Sequence, residues 1–260
     1  MRTFFVDSRS CVGSASDFRY DLTRSLNVQE GRFRVDNLRV PLTFNLVNKN
    51  NQNLYWLDNG TYRTAQIARG NYTSETLPAA IQAAFAAGGG SSVTVAYNST
   101  TGTTTFAVAT GGSWTLLSDK DLLFLSSRYP STDVNNPKSF NSVLGYPSSA
   151  ITVAAAGGVQ TWSFPFISVL PYDTLYLCSS RLSGSSAQAP SGSSSAICVG
   201  VVDGNFGDVL VAASPWDVWQ DVGPLSADSL DFQLTDRFGN AVNILAGSMS
   251  FQLTVEGSDE

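Results

Sequence analysis

The sequence predicts a mainly β protein, an antiparallel β-sandwich interrupted by a small α+β insertion. Three observations lead there. Segments that alternate apolar and polar residues recur in both the first and last thirds of the 260-residue chain, set apart by Gly, Ser, Pro and Asn clusters. Apolar residues take helical spacing around residues 75–87, in the middle third. Hydrophobic residues make up 43%, enough for a real core, while the charged share of 14% lies far below the roughly 25% usual in soluble domains.

The elements follow in order. Phe4 and Val6 open a short strand, and Asp7-Ser8-Arg9-Ser10 turns it. Asp17 to Leu22 resumes the alternation, with Phe18, Tyr20 and Leu22 on one face. Residues 32–47 read as one long strand. Its apolar phase slips between Phe33/Val35 and Leu38/Val40/Leu42, so a kink or bulge is expected near Pro41, which has no ladder donor. A strand over 62–68 precedes the turn Gly70-Asn71-Tyr72-Thr73. A helix is expected over 75–87, capped by Thr73 or Ser74, with Leu77, Ile81, Ala84 and Phe85 on one face and Pro78 in its first turn. Gly88-Gly89-Gly90 stops it. Val93-Val95-Tyr97 and Thr105-Phe106-Val108 form a hairpin about Asn98–Gly102. A short helix near 119–127 and a loop-like Pro130–Pro147 complete an insertion spanning 61–150.

Beyond residue 150 the strand candidates are 159–168, 173–182, 196–203, 208–213, 229–235 and 247–255. Ser183–Ser195 reads as a Ser/Gly/Ala surface loop, and Thr235 to Asn240 as a hairpin-like turn in which Gly239-Asn240 can take positive φ. With the early strands this makes eight or nine long antiparallel segments. That number fits a single jelly-roll sandwich built from 1–60 and 151–260, with 1–30 serving as an amino-terminal arm or as ordinary first strands.

Composition excludes whole classes of chemistry. The chain has no histidine, so Ser-His-Asp and Cys-His nucleophiles and His-ligated zinc or haem are impossible. Cys11, Cys178 and Cys198 are far apart, odd in number and without CxxC spacing, which predicts reduced, mostly buried thiols. No apolar run approaches the length of a membrane span, and Asp7 interrupts any signal-peptide core. A soluble intracellular product is expected, so the sequons at Asn59, Asn71 and Asn98 should stay unmodified. Residues 1–70 carry a net charge of +4 and residues 71–260 a net −10. The arginines of the first part are spaced through apparent strands rather than clustered, so nucleic acid is not an expected partner. Polarity comes instead from 35 Ser, 21 Thr and 16 Asn, a surface that can approach a neighbour without charge repulsion.

Candidate sites are few. Asp203, Asp208, Asp217, Asp221, Asp228, Asp231 and Asp236 are dense enough for a hydrolase pair, yet each falls at a strand end or turn where Asp bonds its own backbone. Asp203-Gly204-Asn205 with Asp208 lacks the terminal Glu of a calcium loop. Gly88–Gly90 ends a helix and has no following Lys-Ser/Thr, so it is no phosphate loop. Trp162, Trp216 and Trp219 suit sugar stacking or protein–protein anchoring equally. No catalytic residue, cofactor or metal is expected. Interface residues are expected at Asp7, Arg9, Asp17 and Phe18 and at Trp216 and Trp219.

Several blocks, in order, resemble a known family. They are Phe5-Val6-Asp7-Ser8-Arg9 leading to Gly13-Ser14-Ala15-Ser16-Asp17-Phe18, then Val40-Pro41-Leu42-Thr43-Phe44-Asn45. Gly70-Asn71-Tyr72-Thr73 follows before a helix and the 93–98 hairpin, and then Leu144-Gly145-Tyr146. Last come Leu230 to Asn240 and Met249-Ser250-Phe251-Gln252-Leu253. The set is similar to the penton, or vertex minor capsid, proteins of double-jelly-roll double-stranded DNA viruses such as virophages and polinton-like viruses, and more distantly to the adenovirus penton base. The resemblance covers nearly the whole chain, through the order of its blocks rather than any diagnostic motif. It implies a non-enzymatic capsid protein of the virion, assembled inside the host cell as a homopentamer that plugs fivefold vertices of an icosahedral capsid and touches the major capsid protein. No Arg-Gly-Asp occurs, so integrin attachment is not implied. A glycan-binding jelly-roll or fibre-type receptor-binding protein is the alternative.

Overall fold

The computed structural model describes residues 1–110, 112–118, 121–122, 139–144, 151–154, 158–164, 171–182, 195–212, 219–245 and 247–257. In chain order the first strands are β1 (Arg2–Asp7), β2 (Val12–Ser14), β3 (Asp17–Val28), β4 (Gly31–Pro41), β5 (Asn53–Asp58) and β6 (Thr61–Gln66). Helix α1 (Leu77–Gly88) precedes β7 (Ser92–Asn98), β8 (Thr103–Thr110), β9 (Ser113–Leu116), β10 (Ile151–Ala154) and β11 (Gly158–Phe164). The last are β12 (Thr174–Cys178), β13 (Ala196–Val201), β14 (Val209–Ala212), β15 (Gln220–Val222), β16 (Leu225–Thr235) and β17 (Ser250–Gly257). The protein is mainly β, with antiparallel pairing throughout these sheets. No helix among the described residues is long and apolar enough to cross a membrane.

The chain divides into two units, Met1–Phe44 with Tyr172–Glu260, and Asn45–Pro171. These boundaries differ from the 60/61 and 150/151 read from sequence. Two strands account for the shift. β5 pairs with β6 and β9, and β11 pairs with β8, so both belong to the second unit. The sequence had placed 159–168 among the sandwich strands. β5 escaped notice because Leu54, Tyr55 and Trp56 are buried in succession, which erases the alternation of a one-faced strand.

The first unit has two sheets, ordered β1-β17-β4-β14 with β15 also on β4, and β13-β12-β16-β3-β2. Alternation aims one face of each inward. Val6, Phe33, Val35, Leu253 and Val255 come from the first sheet, and Phe18, Leu26, Leu177, Leu230 and Phe232 from the second. Phe232 sits at the middle, its ring 5.7 Å from Phe18 and 4.9 Å from Phe251 on the opposite sheet. The sheets therefore pack face to face through interlocking side chains.

The phase slip in β4 is a bulge, and it lies at Asn37 rather than at Pro41. Asn37 takes φ 53°, a left-handed conformation that Asn tolerates. The register against β17 moves from Gln252↔Asp36 to Ser250↔Arg39. One extra residue thus returns Leu38 and Val40 to the same buried face as Phe33 and Val35. Pro41 ends the strand.

The insertion leaves after Phe44 and returns at Tyr172, whose rings meet edge-on at 4.9 Å. Burial pushes the Tyr172 phenol up to about 12 from an ordinary 10, with the Asp236 carboxylate adding to the shift. The unfolded chain ionises first as pH rises. The stability this neutral phenol confers is whole below pH 10 and falls away towards about pH 12. Chemical denaturation across that window should show a loss of roughly 2 kcal/mol, and Tyr172→Phe should flatten it. An unchanged slope in that variant would assign the loss to other groups.

The second unit holds the sheets β10-β9-β5-β6 and β11-β8-β7, with α1 packed on β6 and β7. Leu77, Ile81, Ala84 and Phe85 form the buried face of α1. Phe85 meets Trp56, Phe106 and Trp114 at 4.9, 6.2 and 5.5 Å. Thr76 stands at the helix boundary without a side-chain cap bond, while Thr73 caps the turn before it: its hydroxyl accepts from the Thr76 amide at 3.3 Å and its carbonyl from the Thr76 and Leu77 amides. The glycines that stop α1 are required sterically: a Cβ on Gly90 would lie 2.1 Å from the Asp58 carboxylate. Of the short helix expected near 119–127, Asp121 and Leu122 are helical, and the rest lies outside the described residues. So do residues 130–138 and 145–147 of the expected loop and 183–194 of the Ser-rich segment.

Candidate functional site: two uncovered strand edges

The first unit exposes an edge strand of each sheet at both of its sides. On one side are β1, which pairs only with β17 among the described residues, and β2, which pairs only with β3. The two sheets close on each other here through Phe4 and Tyr20, whose rings are 6.4 Å apart. The guanidinium of Arg2 donates to the carbonyl of Ser25 at 3.2 Å across the same gap. Phe5 and Val12 nevertheless face solvent, Phe5 with 76% of its surface exposed.

On the other side lie β13, paired with β12, and β14, paired with β4. They touch closely enough that a Cβ on Gly200 would stand 2.7 Å from Leu210. In β13, Ile197 and Cys198 are buried while Val199 and Val201 point outward; in β14, Leu210 is buried while Val209 and Val211 point outward. β-Branched residues on both faces of a strand are the composition of a strand covered on both sides. Yet Val201 and Val211 are 69% and 63% exposed, and Phe206, in the turn between the two strands, is 60% exposed. Among the described residues, Val199 and Val201 thus stand exposed on the outer face of one sheet and Val209 and Val211 on that of the other.

The expected interface residues fare differently. Asp7 and Arg9 are exposed to partly exposed but bound to one another. The Arg9 guanidinium donates to both carboxylate oxygens of Asp7 at 2.6 to 3.1 Å, and the Arg9 amide to Asp7 Oδ1 at 2.9 Å. These bonds hold the Asp7 carboxyl below its usual range and raise the Arg9 guanidinium. Their primary effect is local, capping the turn Ser8–Ser10. Beside them the Cys11 thiol donates to the Asp7 carbonyl, and burial pushes it up. Phe18 is corrected outright: it is buried in the sandwich core against Phe232 and presents nothing to a partner. Asp17 stays exposed, accepts from the Gln233 amide at 3.2 Å, and borders an open groove of about 460 Å³ with Arg19, Arg181 and Asp231. Trp216 lies outside the described residues. Trp219 is half-buried, with the guanidinium carbons of Arg32 and Arg34 at 4.8 and 5.0 Å from its ring. Arg32 is held in turn by Glu256 at 2.7 Å. The indole therefore already has cations on it, and it anchors β15 to β4. The exposed valines of β13 and β14 were missed by the sequence reading. Their signal was present in Val199, Val201, Val209 and Val211, apolar residues that alternate with Cys198 and Leu210.

No protein-family model matches the chain, and no curated protein does. One solved structure aligns along almost its whole length. It is a chain of the 3.5 Å cryo-EM structure of the Sputnik virophage, 13% identical, with a TM-score of 0.43, over 98% of this chain and 97% of that one.

The carboxylates are engaged locally. Asp208 Oδ2 accepts from the Asn205 amide, Asp231 from the Ser180 amide and hydroxyl, and Asp236 from the Phe238 and Asn240 amides. Each shapes a turn or ties a strand to a loop. Among the described residues, no three His, Cys, Asp or Glu side chains are grouped to hold a metal ion. Asp217 lies outside those residues, as does the side chain of Trp162. The chemistry this surface offers is apolar contact with charged flanks.

Proposed function

We propose that this chain is a structural capsid protein, a penton that forms homopentamers, closes the fivefold vertices of an icosahedral shell and contacts the surrounding major capsid protein. The observation that carries the reading is the exposed valines of β13 and β14, apolar side chains on an edge strand of each sheet that a protein working alone would have to charge or cover. Strand order supports it. Taking β1, β3, β4, β12, β13, β14, β16 and β17 as the principal strands, the sheets run β1-β17-β4-β14 and β3-β16-β12-β13. That is the order of a single jelly-roll, an architecture that viral capsids use, with the insertion placed after its third strand. The low charge and abundant Ser, Thr and Asn suit close approach of copies. The order of sequence blocks that resembles penton proteins adds the vertex position.

Native mass spectrometry and light scattering of the purified chain are expected to find particles of five copies, and purified virions should contain the protein at a pentamer per vertex. A species that stays monomeric at high concentration and is absent from particles would overturn the reading.

A further inference from the structure

We infer that the groove between α1 and β7 binds a neutral pyranose residue of a glycan. It lies wholly within the second unit, so the inference stands apart from the assembly proposed above. The groove is open, with a volume of about 610 Å³, within the range of small-molecule sites. One wall is the solvent face of α1, opposite the face whose Leu77, Ile81 and Phe85 fill the core. The other is β7, the edge strand of its sheet. Pro78, Ala79 and Ala83 line it with small apolar surface, and Tyr97 adds a half-buried aromatic ring.

Three hydrogen-bonding side chains on this lining have capacity to spare. Gln82 Oε1 accepts from the Val95 amide at 3.0 Å. A backbone N–H can only donate, so this bond orients the Gln82 head and leaves both N–H bonds of its Nε2 to a ligand. Among the described residues, the Glu75 carboxylate and the Tyr97 hydroxyl have no partner either. Glu75 is the one charge among the described lining residues, and residues 76–118 contain no Lys, Arg, Asp or Glu. An anion would meet that carboxylate with no cation on the lining to offset it. A divalent metal would find one carboxylate where it needs several oxygen ligands. An organic cation would suit Glu75 and Tyr97 but face the Gln82 donors. A purely apolar ligand would cover the Glu75 and Gln82 heads unpaired. A pyranose fits every wall. Its C–H face covers an aromatic ring and small apolar side chains, while its hydroxyls donate to a carboxylate and accept from an amide. With one sugar ring engaged in an open groove, binding is expected to be weak, in the millimolar range.

Saturation-transfer NMR on the full chain tests this with methyl glycosides of glucose, galactose, mannose and N-acetylglucosamine, and with choline and glucuronate as charged probes. At least one glycoside should take up saturation, and the charged probes should not. Tyr97→Ala removes the ring, and Gln82→Glu keeps the Val95 bond while replacing both donors by an acceptor; each should weaken that glycoside roughly tenfold. Unchanged melting separates lost binding from lost fold. Glu75→Ala, exposed and ahead of the helix, gives a further reading should Tyr97→Ala alter melting. No saturation of any of the four glycosides, stronger uptake by choline or glucuronate, or glycoside binding that survives these substitutions would overturn the site. None of these outcomes bears on the pentamer, which the mass measurement tests alone.

Discussion

Phe232→Ala is expected to cost the first unit about 4 kcal/mol, the range for deleting a fully buried aromatic ring. Phe232 has no exposed surface and stands between Phe18 on its own sheet and Phe251 on the facing one. Removing it leaves a cavity at the contact between the layers, and neither neighbour can fill it. Each lies in a strand whose register is set by long ladders, Phe18 through β3·β16 and Phe251 through β17·β4. Urea unfolding should show a lowered midpoint with little change in slope. Phe232→Leu, which keeps most of the volume, should cost well under half as much. If alanine proves as mild as leucine, the two sheets do not pack through this ring as described.

Asn141→Leu should destabilise the second unit by about 3 kcal/mol for a different reason. Asn141 is fully buried, accepts from the Tyr55 amide at 3.1 Å, and donates to the carbonyls of Tyr55 at 2.8 Å and Leu117 at 2.6 Å. Regular pairing of β5 with β9 runs from Asp58↔Trp114 to Trp56↔Leu116, so the side chain continues the ladder where the second strand has ended. Leucine has similar volume and no polar atoms. The loss therefore comes from stranding buried backbone groups rather than from a cavity. Asn141→Asp, keeping the acceptor but losing both donors, should rescue little at neutral pH, because it also buries a charge. Hydrogen exchange at the Tyr55 amide reads the effect directly, and protection equal to the parent's in Asn141→Leu would refute this role.

Much of the sandwich was legible because alternation is a local signal. Phe18, Tyr20 and Leu22 lie on one face of β3 as expected, and Leu230, Phe232 and Leu234 do the same on β16. Helix α1 was legible from its spacing and from the three glycines after it. The legible part stops where a residue's surroundings matter. Phe18, read as an interface anchor beside Asp7 and Asp17, is core because the second sheet lies over it. Asp7 and Arg9 looked available to a neighbour, yet two residues' separation lets them satisfy each other in a turn.

By itself, the chain's order of residues determined the class of fold, the strand faces, the helix and the absence of histidine chemistry, since each depends on spacing or on residue type alone. Only the tertiary structure decided that β5 and β11 belong to the insertion, that the slip in β4 is a bulge at Asn37, and that the outward valines of β13 and β14 are exposed on edge strands of the two sheets. The reason is physical. Pairing partners and exposure arise from contacts between residues far apart in the chain, and such contacts leave no period to read.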